Sequence, residues 1–304
     1  MLKLKKIDLH VHTILYPDIA LPRPRGSNFV DPEGLLKMYD DWGIERGVIL
    51  PRFCNEGKYA PNSNEEACII SRRYPDRFFW FMDLSPSMGE NGETTDFDRI
   101  VSHYKNLGAK GVGEMTFNRP FDDPVVQNIL KAAANADLPV LIHIAHQIGG
   151  CYGVYDELGL PRLEAMLKKY PNLHIFGHSQ CFWSQLGTNV TEENRMRYPQ
   201  GPVEEGRLFE LLRTYPNLYC DLSATSGSSA MLRDEDNALR FLEEFQDRCM
   251  FGTDICAPYN TFPLGGWLDK MNAEGKLSDE IYYKVCRGNV IRELRLPIKD
   301  DIAF

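Results

Sequence analysis

Five polar side chains stand at the ends of apolar, strand-like runs, and together they have the chemistry of a metal centre. His10 and His12 lie two apart in Asp8-Leu9-His10-Val11-His12. Side chains alternate along a strand, so both imidazoles face one side. Two neutral imidazoles on one face are a usual ligand pair for a transition metal. A His-x-His pair also arises by chance, and three further residues strengthen the argument. His143 closes Val140-Leu141-Ile142-His143, His178 closes Ile175-Phe176-Gly177-His178, and Asp254 closes Phe251-Gly252-Thr253-Asp254. Burying polar or charged groups without partners is costly, so each of these positions needs a reason. One shared cation supplies that reason for all five.

The elements that must position them are readable along the chain. Strand candidates fall at 7–12, 46–50, 78–84, 110–115, 139–145, 173–179, 218–224 and 250–255. Between them lie segments of helical period, such as Leu163, Met166, Leu167, Tyr170 and Leu208, Leu211, Leu212, Tyr215. Continuous apolar strands separated by helices imply a parallel sheet covered by helices. Eight such units predict an α/β fold, a single (β/α)8 TIM barrel over residues 1–304. Tyr74-Pro75, Tyr170-Pro171 and Tyr215-Pro216 each mark a helix end, because proline cannot continue the helix. Long segments follow the first, fifth and sixth strands, at 13–30, 147–160 and 180–202. In a barrel all three emerge at the C-terminal face, where active sites are built.

Composition excludes several functions. The 304 residues carry 34 basic and 43 acidic side chains, a net charge of -9, which argues against nucleic acid as a partner. A mean hydropathy of -0.35, with no apolar run of membrane-spanning length, argues against a membrane protein. No secretory signal opens the chain. The eight cysteines are scattered without a C-x-x-C pair, which predicts reduced thiols in a cytoplasmic protein. The expected partner is a small-molecule substrate. Assembly into a homo-oligomer stays open, because no surface patch can be assigned from sequence.

The set His10-x-His12, His143, His178 and Asp254 resembles the amidohydrolase superfamily. Within it the chain is most similar to the amidohydrolase-related branch that also contains metal-dependent decarboxylases. Asp8-Leu9-His10-Val11-His12, Gly252-Thr253-Asp254 and Gly288-Asn289 carry the likeness, which spans essentially the whole chain. The resemblance implies a metal-dependent hydrolase with one or two divalent ions at the barrel mouth. Glu114 ends the fourth strand in Gly111-Val112-Gly113-Glu114, and relatives with two metals place a bridging carboxylate or modified lysine there or nearby. Glu114 is the only bridging candidate, and a substrate contact or support for a ligand is its other reading. With Glu114 bridging, His10, His12 and Asp254 serve one ion, and His143 and His178 the other. Without it, one ion takes His10, His12, His143 and Asp254, leaving His178 free.

Nitrogen-rich ligands with a carboxylate suit Zn2+, while Mn2+ or Fe2+ fit a carboxylate-bridged pair. A bound ion lowers the pKa of water from 15.7 towards about 7 and polarises the substrate oxygen. Asp254 and His178 are then the catalytic candidates, Asp254 moving the proton and His178 binding a second ion or polarising the substrate. The reaction expected is hydrolysis of a small amide, lactone or other ester. Non-oxidative decarboxylation of a small aromatic acid is the runner-up, and a catalytically inactive binding barrel comes third.

Other residues at the predicted mouth are candidates for substrate contact. Arg52 and Arg119 follow the second and fourth strands and suit a carboxylate or phosphate. His146, Trp183 and Tyr259 stand in loops and could line a pocket, or could simply pack them. His103, His174 and Asp221 read as structural, and Cys256 as a packed thiol.

Overall fold

The computed structural model describes residues 4–22, 29–53, 62–300 and 302. The predicted 13–30 segment therefore lies partly outside the described residues. Among the described residues the strands are β1 (Lys6–Val11), β2 (Ile44–Ile49), β3 (Phe78–Trp80), β4 (Val112–Met115), β5 (Val140–Ala145), β6 (Val154–Tyr155), β7 (Ile175–His178), β8 (Leu218–Asp221) and β9 (Cys249–Met250). All eight predicted strands are present, and the two-residue β6 is an addition that pairs with β5. Parallel ladders run in the orders β1-β2-β3 and β4-β5-β7-β8-β9. Single parallel bridges, Met82 to Val112 and Val11 to Ile255, join the two sheets at both edges. This is the strand order of a (β/α)8 barrel, although no continuous ladder closes the ring.

Two seams explain why the third and eighth strands are shorter than 78–84 and 250–255. Beyond Trp80 and Met250 the chain keeps only scattered bonds, such as Met82 N–H to Gly111 carbonyl at 2.9 Å and Leu9 N–H to Phe251 carbonyl at 3.0 Å. The backbone there bends to aim side chains instead of extending a ladder. Helix ends follow the sequence. Tyr74, Tyr170 and Tyr215 each cap a helix C-terminus. Their carbonyls then accept from Arg77, Leu173 and Leu218 at 2.9, 3.0 and 3.2 Å, so each Tyr-Pro joint is a tight turn into a strand. Asp31, Ser63 and Asp96 cap helix N-termini by accepting a backbone N–H.

The core has two layers. An inner cluster contains Ile7, Leu9, Val48, Leu50, Phe81, Leu141, Phe176, Tyr219 and Met250, with Val290, Leu294 and Leu296 from the chain's end. An outer cluster takes the opposite strand faces, including Val11, Ile49, Val140, Ile142, Ile175, Leu218 and Cys220, against the helices. Alternation makes the consequence plain. Leu141, Phe176 and Tyr219 point inward, and two residues further on stand His143, His178 and Asp221. The register pairs Leu141 with Phe176 and His143 with His178. One apolar layer thus supports one polar layer.

The segments after β5 and β7 are not structureless. The first contains β6, and the second contains a short helix, Gln180–Trp183, followed by a 3-10 turn, Ser184–Leu186. No described helix is long and apolar enough to cross a membrane. The seven cysteines among the described residues are all free thiols.

Candidate metal centre

β1 and β4 deliver their ligand candidates by the same device. On β1, Ile7 and Leu9 face the inner cluster, so strict alternation would turn His10 outward. The pairing with β2 runs Asp8 to Gly47 and then Val11 to Ile49, three residues against two. That extra residue is a bulge, and it turns His10 inward beside Leu9, with Val11 outward and His12 inward. On β4, Val112 pairs with Val140 and Met115 with Ile142, again three against two. Val112 and Met115 both face the outer cluster, and the extra residue leaves Glu114 pointing inward. Gly113 makes that approach with φ +146, and a Cβ there would stand 2.7 Å from the Leu141 carbonyl oxygen.

Asp8, turned outward by ordinary alternation between Ile7 and Leu9, is structural. It accepts from the Tyr39 hydroxyl at 2.8 Å and from the backbone N–H groups of His10 and Thr253 at 3.0 and 2.8 Å. Burial raises its pKa to about 6 against those bonds. Asp8 thereby ties β1 to the turn that carries Asp254. Asp254 itself has φ 56, a left-handed conformation uncommon for a non-glycine residue.

The polar layer converges. His10 Nε2 lies 3.1 Å from His12 Nε2, and Asp254 Oδ1 lies 3.6 and 3.2 Å from the two nitrogens. Glu114 Oε2 stands 3.8 Å from His10 Nε2 and 3.5 Å from His12 Nε2. His178 Nε2 is 3.7 Å from Glu114 Oε1 and 3.9 Å from Asp254 Oδ2. Among the described residues, two groups have donor atoms close enough to share an ion: His10, His12 and Asp254, and His10, Glu114 and His178. His143 belongs to neither. Its Nδ1 faces Glu114 Oε1 at 2.8 Å.

The outer partners fix how the rings present themselves. His10 Nδ1 meets Asp221 Oδ2 at 2.7 Å, and His12 Nδ1 meets the Leu50 carbonyl at 2.8 Å. Both partners only accept, so each Nδ1 carries the hydrogen and each Nε2 turns a lone pair to the centre. Two lone pairs 3.1 Å apart repel unless a cation or proton sits between them. The electrostatics agree. Burial opposes charge on His10, yet Asp254, Asp221 and Glu114 outweigh it and raise its pKa to about 10. Burial also opposes charge on Glu114, but His12 and His143 beside its oxygens, and the His10 charge, hold it well below the usual carboxylate range. Asp254 is lowered too, its burial outweighed by His10 and His12. Burial lowers His143 despite its bond to Glu114. These donors fit a divalent cation.

Asp221 and Ser223 are site residues whose role the sequence did not reveal. Asp221 is fully buried, accepts from His10, lies 3.1 Å from His178 Nδ1 and takes the Ser223 hydroxyl at 2.7 Å. Ser223 Oγ also lies 3.2 Å from His10 Nδ1 and 3.1 Å from His178 Nδ1. A polar residue two positions past inward Tyr219 was the available signal for Asp221. No comparable signal marked Ser223.

The outlying candidates separate. Trp183, which could line a pocket or simply pack its loop, is 3% exposed. It packs on Phe182 and Phe241 and donates to the Asp221 carbonyl at 3.0 Å. It supports the site from the core because burying its large ring outweighs exposure at the mouth. Arg119 pairs with Asp123 at 3.1 Å. His146 has a buried Nδ1 without a hydrogen-bond partner among the described residues, and Tyr259 is half-exposed. Cys256 donates its thiol to Asn260 at 3.5 Å. His174 binds Glu293 at 2.6 Å, and His103 packs on Tyr104. A cavity of about 510 Å3 opens beside Asp254, lined in part by Thr225, Ser228, Arg233 and Asn260. Tyr152, which the sequence reading passed over, lays its ring 4.6 Å from that of His143.

Comparison with known proteins agrees with this architecture. An amidohydrolase from Burkholderia multivorans with bound zinc superposes with a TM-score of 0.63 at 15% identity, over 97% of this chain and 100% of that one. 2,6-Dihydroxybenzoate decarboxylase from Rhizobium gives 0.59 at 15%, over 95% and 98%. A probable 2-pyrone-4,6-dicarboxylic acid hydrolase from Acinetobacter baumannii, with citric acid bound, gives 0.60 at 14%, over 96% and 100%. At these identities the likeness is one of fold. No curated protein sequence matches the chain significantly. The model of a family described as amidohydrolase (Amidohydro_2) matches residues 7–296, nearly the whole chain. The protein is therefore a member of this amidohydrolase family, which includes both hydrolases and decarboxylases.

Proposed function

We propose that residues 1–304 act as one metal-dependent hydrolase domain, cleaving a small amide, lactone or other ester. One observation carries the reading: His10 and His12 turn paired lone pairs towards the Asp254 carboxylate, with both Nδ1 atoms held by acceptors. His10, His12 and Asp254 would hold the first ion, for which zinc suits the donors best and Mn2+ or Fe2+ are alternatives. His10 Nε2 can serve only one ion at a time. A second ion would depend on Glu114 and His178, with His143 beside them, and would bind more weakly.

When bound, a divalent cation supplies Lewis acidity and a water acidified towards neutral pH. The protein's own groups do the rest. Asp254 is the most open of the three carboxylates, its side chain 28% exposed against 6% for Glu114 and 0% for Asp221. It is therefore placed to accept a proton and pass it to the leaving group at the mouth. His178, held by Ser223 and Asp221, turns Nε2 to the same space and would polarise the substrate oxygen when it is not a ligand. Asp221 keeps His10 oriented and remains ionised. Burial opposes its charge, but His10 and His178 lower its pKa well below the ordinary range.

Decarboxylation of a small aromatic acid is the second reading, favoured by the likeness to 2,6-dihydroxybenzoate decarboxylase. Glu114 at the centre counts against it. The deciding experiment is elemental analysis of metal per chain. Assays on lactone, amide, phosphoester and aromatic-acid panels should follow, before and after chelation. Hydrolysis that disappears with the metal and returns on adding it is expected. Full activity after exhaustive metal removal would sink the proposal, and carbon dioxide release without water uptake would decide for decarboxylation.

A further inference from the structure

Ser223 stands two residues past the end of β8 and is fully buried. Asp221 grips it twice. The Ser223 N–H donates to Asp221 Oδ1 at 3.0 Å, and the hydroxyl donates to Oδ2 at 2.7 Å. Burial opposes charge on Asp221, but His10 and His178 beside it keep it ionised, so both its oxygens only accept. Gly252, from the run Gly252-Thr253-Asp254, leaves room for this packing. A Cβ there would stand 2.7 Å from Asp221 Oδ1, 2.9 Å from Ser223 Cβ and 3.3 Å from His10 Cβ.

A hydroxyl has one hydrogen, and here the carboxylate takes it. Towards its other neighbours Ser223 Oγ can only accept. His10 Nδ1 lies 3.2 Å away, but its hydrogen goes to Asp221 at the shorter 2.7 Å. A hydroxyl lone pair is left for His178 Nδ1, at 3.1 Å. Asp221 Oδ2 is also 3.1 Å from that nitrogen. Neither neighbour can give His178 Nδ1 a hydrogen, so the ring supplies it. A neutral ring with its hydrogen on Nδ1 has a lone pair on Nε2. That lone pair points to the centre, where Glu114 Oε1 and Asp254 Oδ2 lie 3.7 and 3.9 Å away. These two carboxylates would draw the hydrogen to Nε2 instead, so the Ser223 hydroxyl tips the balance.

We propose that Ser223 is a positioning residue that sets the tautomer of His178. It passes the Asp221 charge on to Nδ1 and commits Nε2 to receiving a cation or a proton. The catalytic use of that commitment rests on the hydrolytic reading, in which it favours His178 as a ligand beside Glu114 over His178 as a neutral hydrogen-bond donor to the substrate oxygen. The tautomer itself rests on the polar contacts alone.

Nitrogen NMR of the neutral imidazole rings tests this in metal-free wild type, Ser223→Ala and Ser223→Thr, with His178→Gln to assign the signal. In wild type the His178 hydrogen should sit on Nδ1. In Ser223→Ala it should move largely to Nε2, while His10, still bonded to Asp221, keeps its Nδ1 hydrogen. Ser223→Thr retains the hydroxyl and should restore the wild-type pattern. A merely structural role for Ser223 would disturb both rings or neither. A His178 hydrogen on Nε2 in wild type would overturn the proposal, and that reading needs no variant to fold. A Ser223→Ala protein that keeps the hydrogen on Nδ1 would overturn it as well, because Asp221 alone would then suffice. Full activity after exhaustive metal removal sinks the hydrolytic reading and leaves the Ser223 dependence standing.

Discussion

Asp221 Oδ2 accepts from His10 Nδ1 at 2.7 Å across 211 residues of sequence. The same oxygen takes the Ser223 hydroxyl at 2.7 Å and lies 3.1 Å from His178 Nδ1. One carboxylate thus orients two rings of the candidate centre, and its charge offsets the cation they would hold. Asp221→Asn keeps the shape but offers one neutral acceptor to these donors. Zinc affinity, read by competition with a chromophoric chelator, should fall by about 10- to 100-fold. An unchanged affinity would show that His10 needs no anionic partner.

In the proposed two-ion reading, Glu114 governs the number of ions. Its two oxygens face His143 at 2.8 Å on one side and His12 at 3.5 Å on the other. A carboxylate between two cations is held ionised and relieves their mutual repulsion. Glu114→Gln should bind the first ion about as wild type does and lose the second. Equilibrium dialysis with excess zinc, followed by elemental analysis, reads this directly. Wild type saturating at one ion per chain would remove the bridging role and move His178 into substrate polarisation.

Much of this arrangement was legible in the sequence, for a physical reason. His143 and His178 each stand two residues past an inward apolar residue on a regular strand, so alternation alone places them; Asp221 obeys the same rule past Tyr219 but was read as structural. His10 and Glu114 do not obey that rule. Counting from Leu9 or from Val112 by strict alternation turns both outward, and only the bulges in β1 and β4 bring them in. A bulge is a pairing between two strands, so a single strand's sequence carries little trace of it beyond Gly113. Trp183 stayed open between lining a pocket and packing its loop, because an aromatic residue in a loop and one folded back into the core look alike in sequence. Ser223 was missed because its partners, His10 and His178, are near only in the folded chain.

The loop after β5 is held against the centre by a glycine. Gly153 has φ +112, and a Cβ there would stand 2.7 Å from the His143 carbonyl oxygen and 2.8 Å from its Cδ2. Asn118 clamps the same loop, donating to the Gln147 and Gly153 carbonyls at 3.0 and 3.1 Å. Gly153→Ala should therefore cost roughly 1–3 kcal/mol, from backbone strain and displacement of His143. Melting should shift down by roughly 2–4 °C per kcal/mol. Asn118→Ala loosens the loop without touching His143 and serves as the control. A Gly153→Ala protein that melts with wild type would mean the loop does not rest on His143 in solution.

Asp156 gives a pH dependence whose sign can be worked out in advance. It is fully buried, and its Oδ1 accepts from the N–H groups of Glu157 and Arg162 at 2.9 and 3.0 Å, its Oδ2 from Leu163 at 2.8 Å. It thereby caps the helix Pro161–Lys169, whose own N-cap, Leu160, offers no side-chain bond. Burial nevertheless outweighs these bonds and raises its pKa from 3.8 to about 7. Between those values the folded protein keeps a proton that the unfolded chain has lost. Stability from this group therefore falls as pH rises through that window, and the full cost of burying the charge is present above it. Asp156→Asn has no proton to lose. The stability of wild type minus that of the variant, from urea unfolding at several pH values, should decline from about pH 4 to about pH 7 and then level off. A difference that is flat across this range, or that grows with pH, would mean the backbone bonds hold Asp156 ionised throughout.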